Sequence, residues 1–408
     1  MSPGTSRPGQ RPRRGHQAGL TLVELLVALL IGAFITLAVV GVLGAGETSR
    51  RRTLDGGDTL QVGAHAMSQL DRMLRSAGSG YAQSASHLFG CRLHAVRSGT
   101  QILPRPAGSP LPAPFAAVST GSSGVFRLAP ALIAAGQTTP DLSGRASDVL
   151  ILMSGQSGQS EMPMDFAGDA SATTLNLDST VGLSGGELLL IGDRQPAATG
   201  TAPCLISEVS ASFDASAGRG SVPLAGTYYA ATVDSAALTG FSVSATAHAI
   251  GHVGNGNPPL MQLVGVGDGG LLATYDLLQT STPALQALAD GVFALHARYG
   301  IDTDGDRVLD RWTAASGDYA IAALMDGSAA ANARLRTIVA MRVGLVMRSA
   351  RPDPDADENK PPTDATLTLF ADLGSSLRQT FSLTKAERLF RYRTLEITVP
   401  MRNLLMLQ

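Results

Sequence analysis

The chain has 408 residues, 44% of them hydrophobic, 16% charged and 5% aromatic, with 46 glycines and a formal net charge of -2. That length allows two to three ordinary domains or one large β-rich unit, and the composition suits a turn-rich globular protein rather than a disordered one. Without a basic excess no nucleic-acid partner is expected, and the two cysteines, Cys91 and Cys204, have the spacing of neither a zinc ribbon nor a redox motif.

Residues 1–19 contain Arg7, Arg11, Arg13 and Arg14 and no acid, which predicts an unstructured leader held in the cytoplasm. From Leu20 to Leu43 the chain is apolar for long enough, as a helix, to cross about 30 Å of hydrocarbon. Its single charge is Glu24. A carboxylate inside a bilayer is costly and seldom kept without a partner, so Glu24 is a functional candidate; the plain alternative is that it reaches the headgroup layer. A secretory signal cleaved near Gly44, Ala45 and Gly46 is a rival reading, but the apolar run is about twice the usual 7 to 15 residues and contains Glu24.

After the basic cluster Arg50–Arg52, apolar residues at Leu60, Ala64, Met67, Leu70, Met73 and Leu74 repeat at helical spacing. The helix is expected to continue over 44–79, to be loosened at Gly56 and Gly57, and to stop near Ala77 before Gly78 and Gly80. From residue 80 to 408 short apolar runs alternate with Gly, Pro, Ser and Asn clusters. Strands are expected at Asp148–Met153, Glu187–Ile191, Leu260–Val264, Leu271–Leu277, Val292–Tyr299, Thr337–Arg348, Ala365–Phe370 and Leu395–Met401. In the last, Leu395, Ile397, Val399 and Met401 alternate with Glu396, Thr398 and Arg402, which predicts an antiparallel sheet with one buried and one wet face. Arg351 to Asp364 is too polar and proline-rich to pack and reads as an exposed loop.

The string Gly19-Leu20-Thr21-Leu22-Val23-Glu24-Leu25 resembles the processing site of type IV prepilins, with Leu20 in place of the commoner phenylalanine and Gly41 where many members have proline. The resemblance implies that a prepilin peptidase cuts after Gly19 and methylates Leu20, and that Glu24 pairs with the new amine of a neighbouring subunit. Three later segments, Leu70–Tyr81 with Phe89–Cys91, Ala289–Asp306 and Arg391–Leu404, resemble the PilW-type minor pilins; residues of about 100–250 match nothing and read as an insertion. The implied fold is α+β: a long, partly transmembrane N-terminal helix packed on an antiparallel sheet, with a large β-rich pilin-like domain outside the cytoplasm. The implied function is a non-enzymatic assembly subunit of a type IV pilus, priming the fibre and placed at its tip. Its partners would be the prepilin peptidase, other minor and major pilins and the inner membrane, with eventual exposure on the fibre. The alternatives are a pseudopilin of a type II secretion system and a soluble exported protein.

Outside the cytoplasm Cys91 and Cys204 are expected to pair, the alternatives being two buried thiols or a bond to another subunit. Asp302, Asp304, Asp306 and Asp310, with the Val308 carbonyl, hold positions 1, 3, 5, 9 and 7 of a calcium-type loop. Arg307 stands at the usual glycine and Thr313 at the closing glutamate, so the alternative to a structural Ca2+ is a solvated acidic tip; no other cofactor is expected. Gly265, Gly267 and Gly270 fit GxGxxG, but the LLATYDLL run after them alternates as a strand, which favours a hairpin turn over a dinucleotide site. His248 and His252 lie in glycine-rich surroundings that predict a loop, and no catalytic constellation stands out.

Overall fold

The computed structural model describes residues 21–118, 124–138, 145–158, 162–194, 203–216 and 220–405, with the backbone alone for 41–55. The chain divides into two units, Met1–Leu54 and Asp55–Gln408. In the first, the described residues form a helix from Leu22; this helix is assigned over Leu22–Ser76 and so ends in the second.

Within the second unit the helix buries Gly63, Ala66, Met67, Leu70 and Leu74, a stripe at intervals of three and four residues. Leu60 and Ala64, expected on that face, are exposed instead. The stripe turns about Gly63 because the backbone there comes closest to the sheet: a Cβ at Gly63 would stand 2.5 Å from Leu395 Cδ1 and 3.0 Å from Met347 Cγ. Gly56 and Gly57 do not interrupt the helix. It ends where Gly78 takes the left-handed conformation (φ +82°) and donates its N–H to Met153 O at 2.9 Å. Asn403 Nδ2 donates to the carbonyls of Ser76 (3.1 Å) and Ala77 (3.0 Å), so the C-terminal segment caps the helix.

The described residues after the helix build three larger sheets. A four-stranded antiparallel sheet has the order Arg311–Thr313, Val292–Ile301, Ile338–Arg348, Tyr392–Pro400. Alternation along its third strand sends Met341, Val343, Leu345 and Met347 into the main core, shared with Met67, Leu70 and Leu74 of the helix. The opposite face is wet only in part: Thr394 and Thr398 of the last strand are exposed, as expected, but the rest is covered. Phe293, Val346, Leu369, Phe370 and Phe381 form a second apolar cluster there, built with the hairpin of Thr366–Leu369 and Gln379–Ser382. Gly344 leaves room for Leu369 and Phe370, and Arg342 donates to both Asp372 and Glu396 while lying 5.6 Å over the Phe370 ring. The Arg351–Asp364 loop is mostly exposed, except that Asp353 is buried and paired with Arg391.

A five-stranded sheet runs Leu285–Ala289, Leu271–Asp276, Leu260–Gly267, Ser147–Ser154, Ala131–Thr138. An eight-stranded sheet runs Thr100–Leu103, Arg92–Arg97, Pro203–Glu208, Glu187–Asp193, Ala245–His252, Met164–Gly168, Thr174–Leu177, Ser221–Pro223. Its one parallel pair sets Leu93 beside Cys204, and the Cys91–Cys204 disulfide (Cα–Cα 5.6 Å) lies at that joint. A bridge spanning 113 residues stabilises by roughly 4 kcal/mol on the chain-entropy account.

The five- and four-stranded sheets are joined by side chains that replace a strand. The first half of Val292–Ile301 has no strand on its outer side among the described residues, since Arg311–Thr313 pairs only with residues 299–301. There Leu295 N donates to Ser147 Oγ (2.7 Å), Ala297 N donates to Asp148 Oδ2 (3.0 Å), and Ser147 Oγ donates to Leu295 O (2.8 Å). Edge amides that would otherwise be buried without acceptors are thus satisfied.

Candidate functional site

Gly19 and Leu20 lie outside the described residues. Thr21 and Glu24 close the helix start as a reciprocal capping box: Thr21 N and Thr21 Oγ1 donate to Glu24 Oε2 at 3.1 and 3.0 Å, and Glu24 N donates to Thr21 Oγ1 at 3.2 Å. The T-x-x-E spacing is a local signal for this cap, and it is easily overshadowed by the isolated charge of Glu24 in an apolar run. From Leu22 to Val40 every side chain is exposed, and this stretch is long and apolar enough to cross a membrane. An apolar surface of this extent on a single helix calls for a bilayer or other apolar helices around it.

The acidic loop comes directly after the Val292–Ile301 strand. Asp302, Asp304 and Asp310 each place a carboxylate oxygen within 4.8 Å of the others, and the Asp306 carboxylate is not part of this group. Asp302 is buried and accepts from the N–H groups of Asp304 (3.1 Å), Gly305 (2.7 Å) and Arg307 (2.8 Å). Asp306 Oδ1 accepts from Val308 N at 2.7 Å. The Thr303 hydroxyl and N–H, both 2.6 Å from Asp310 Oδ2, hold that carboxyl below its ordinary range. Arg307 adopts the left-handed conformation (φ +68°) that a calcium loop normally assigns to glycine, so the departure in residue type does not change the path of the turn. Three convergent carboxylates fit a hard divalent cation; Thr313, in the Arg311–Thr313 strand, supplies no closing carboxylate.

The remaining sequence candidates have structural roles. Gly265 and Gly267 belong to the Leu260–Gly267 strand, and Asp268–Gly270 is the turn to Leu271–Asp276, as a hairpin requires. A Cβ at Gly265 would meet Phe115 at 3.0 Å and one at Gly267 would meet Pro114 at 2.9 Å, so these glycines seat the 113–117 segment on the sheet. His248 and His252 are not in a loop but on the Ala245–His252 strand. Gly251 forms a bulge there (φ +137°), its Cα so near Asn257 O that a Cβ would stand 2.4 Å away, which explains glycine inside a strand. Burial pushes the His248 imidazole down to about 4 and so keeps it neutral; its Nδ1 lies 3.2 Å from Gly80 O.

Two families match the chain. Residues 14–40 match the prokaryotic N-terminal methylation motif, and residues 250–403 match the type IV pilus-assembly protein W family, PilW. The second match contains the whole four-stranded sheet, its covering hairpin and the acidic loop, whereas every strand of the eight-stranded sheet begins before residue 250. No curated protein and no solved structure matches the chain.

Proposed function

We propose, on the premise that this chain is a type IV prepilin-like protein of PilW type, that it is a minor pilin which primes fibre assembly and stays at the tip. In this reading it is first held in the inner membrane with the β-rich domain on the periplasmic side. The observation that carries the reading is the methylation motif on an exposed, membrane-length helix in a chain whose residues 250–403 are PilW-like. The other pilins and the prepilin peptidase are the partners such features imply.

The mechanism is assembly. Cleavage after Gly19 creates an α-amino group at Leu20, and the apolar helix leaves the lipid by packing among neighbouring helices. In that low-dielectric surrounding an amine and a carboxylate strongly favour each other. The Thr21 bonds fall on Glu24 Oε2, which leaves Oε1 for a neighbour's amine. Glu24 thus shapes the helix start and sets the register between subunits.

Cells lacking the gene are expected to regain surface fibres with the wild-type chain and not with Glu24→Ala at equal protein level, as counted by electron microscopy. Restoration of protein secretion in place of fibres would instead assign the chain to a type II secretion system.

A further inference from the structure

The five-stranded sheet ends on Leu285–Ala289, with the sequence LQALA, whose outer side meets no strand among the described residues. Free edges template unwanted pairing and are normally blunted by charge, proline, bulges or shortness. The other free edges here have such protection. Arg311–Thr313 and Ser221–Pro223 are three residues long, Tyr392–Pro400 carries Arg393, Glu396 and Pro400, Ala131–Thr138 has a register break, and Ile102 and Leu103 of Thr100–Leu103 are buried. Leu285–Ala289 has a register break too, since Ala287 and Ala289 pair with the consecutive residues Ala273 and Leu272, but it carries no charge, and Leu285, Gln286 and Ala287 are exposed.

A groove of about 730 Å³ reaches this edge from across the sheet, lined by Leu285 and Ala287, by Leu271 and Ala273, by Pro114, and by Thr138 of the opposite edge strand among others. Its wall is fixed, because Gly265 and Gly267 let Phe115 and Pro114 sit directly on the sheet. One end is acidic. Leu272 pairs with Ala289, so the exposed Asp268, which lines the groove, and the exposed Asp290 flank the same end of the ladder.

We propose that this edge and groove bind an extended, mostly apolar segment of a partner protein by strand addition, with a basic residue of that segment beside Asp268 and Asp290. Main-chain hydrogen bonds would continue the sheet, and alternate side chains of the added strand would enter the groove. The surface lies within the Asp55–Gln408 unit and uses no part of the membrane-length stretch, so it stands whether or not the fibre reading holds.

The test uses the full chain in detergent micelles and, as probe, a fluorescent eight-residue peptide of alternating valine and threonine with arginine at one end. Fluorescence polarisation should show saturable binding, weakened about tenfold or more by N-methylation of alternate peptide amides, by arginine-to-aspartate exchange in the peptide, or by Leu285→Lys in the protein. Leu285 is exposed, so an unchanged melting transition verifies that this variant folds. Absence of saturable binding, or equal affinity for the N-methylated peptide, would overturn the proposal. Peptide-free self-association of the wild-type chain that Leu285→Lys abolishes would also overturn it, by giving the edge to a second copy.

Discussion

Gly56 and Gly63 lie on one helix with opposite requirements. A Cβ at Gly56 meets nothing within 4 Å, so Gly56→Ala should raise stability by about 0.5 to 1 kcal/mol through the ordinary helix preference for alanine. Gly63→Ala, driven into Leu395 and Met347, should lower it by about 1 to 3 kcal/mol; denaturant unfolding of the two variants tests the contrast. Asp148 is the residue whose role sequence could not disclose. It reads as the polar start of an apolar strand, yet its carboxylate accepts from Gly136 N (2.9 Å) and Ala297 N (3.0 Å) and lies 3.3 Å from His296 Nδ1. Asp148→Ala leaves buried donors unmatched and should cost about 3 kcal/mol or more, and Asp148→Asn less, in the same unfolding experiment. Those partners are 12 and 149 residues away, which no local pattern encodes. The Thr21–Glu24 cap has a wholly local signal, yet Glu24 reads in the sequence as a lone charge in an apolar run and not as a cap.

Strands with continuous or alternating apolar runs, such as Ser147–Ser154 and Val292–Ile301, were readable from pattern alone. The helix Ala329–Thr337 was not: its buried side is only Ala331, Asn332 and Leu335, and its start depends on Ser328 Oγ accepting from Ala331 N at 3.0 Å. The covering hairpin was readable in part, but its docking depends on charges. Beside it, burial works against the Glu387 carboxylate, but Arg145 and Thr384 outweigh it and hold its pKa down at about 2 from 4.5. Because the folded value is the lower one, the stabilisation is complete above about pH 4.5 and is lost as pH falls toward 2. Chemical-denaturation midpoints measured from pH 7 to 3 should therefore fall more for the wild type than for Glu387→Gln. For the acidic loop, a structural Ca2+ at Asp302, Asp304 and Asp310 is proposed. Calcium should raise the melting temperature, a chelator should lower it, and Asp304→Asn should remove the difference; identical melting of the wild type in both conditions would dismiss the ion.

At the scale of the whole molecule, local pattern indicated an apolar helix and then a β-rich domain, but not how the strands assemble. Placing Arg92–Arg97 parallel to Pro203–Glu208, or resting Val292–Ile301 on side chains from Ser147 and Asp148, depends on closures over a hundred residues or more. The residues expected as an insertion, about 100–250, supply seven strands of the eight-stranded sheet, at least in part, and join Arg92–Arg97 through the Cys91–Cys204 bridge. The central functional claim rests at the other end of the chain, on processing between Gly19 and Leu20. The mass of the mature N-terminus, measured on protein from cells with and without a prepilin peptidase, tests it most directly. A chain beginning at methylated Leu20 only when the peptidase is present is the predicted result. A chain beginning near Ala45 in both cells would contradict the account and mark an exported soluble protein.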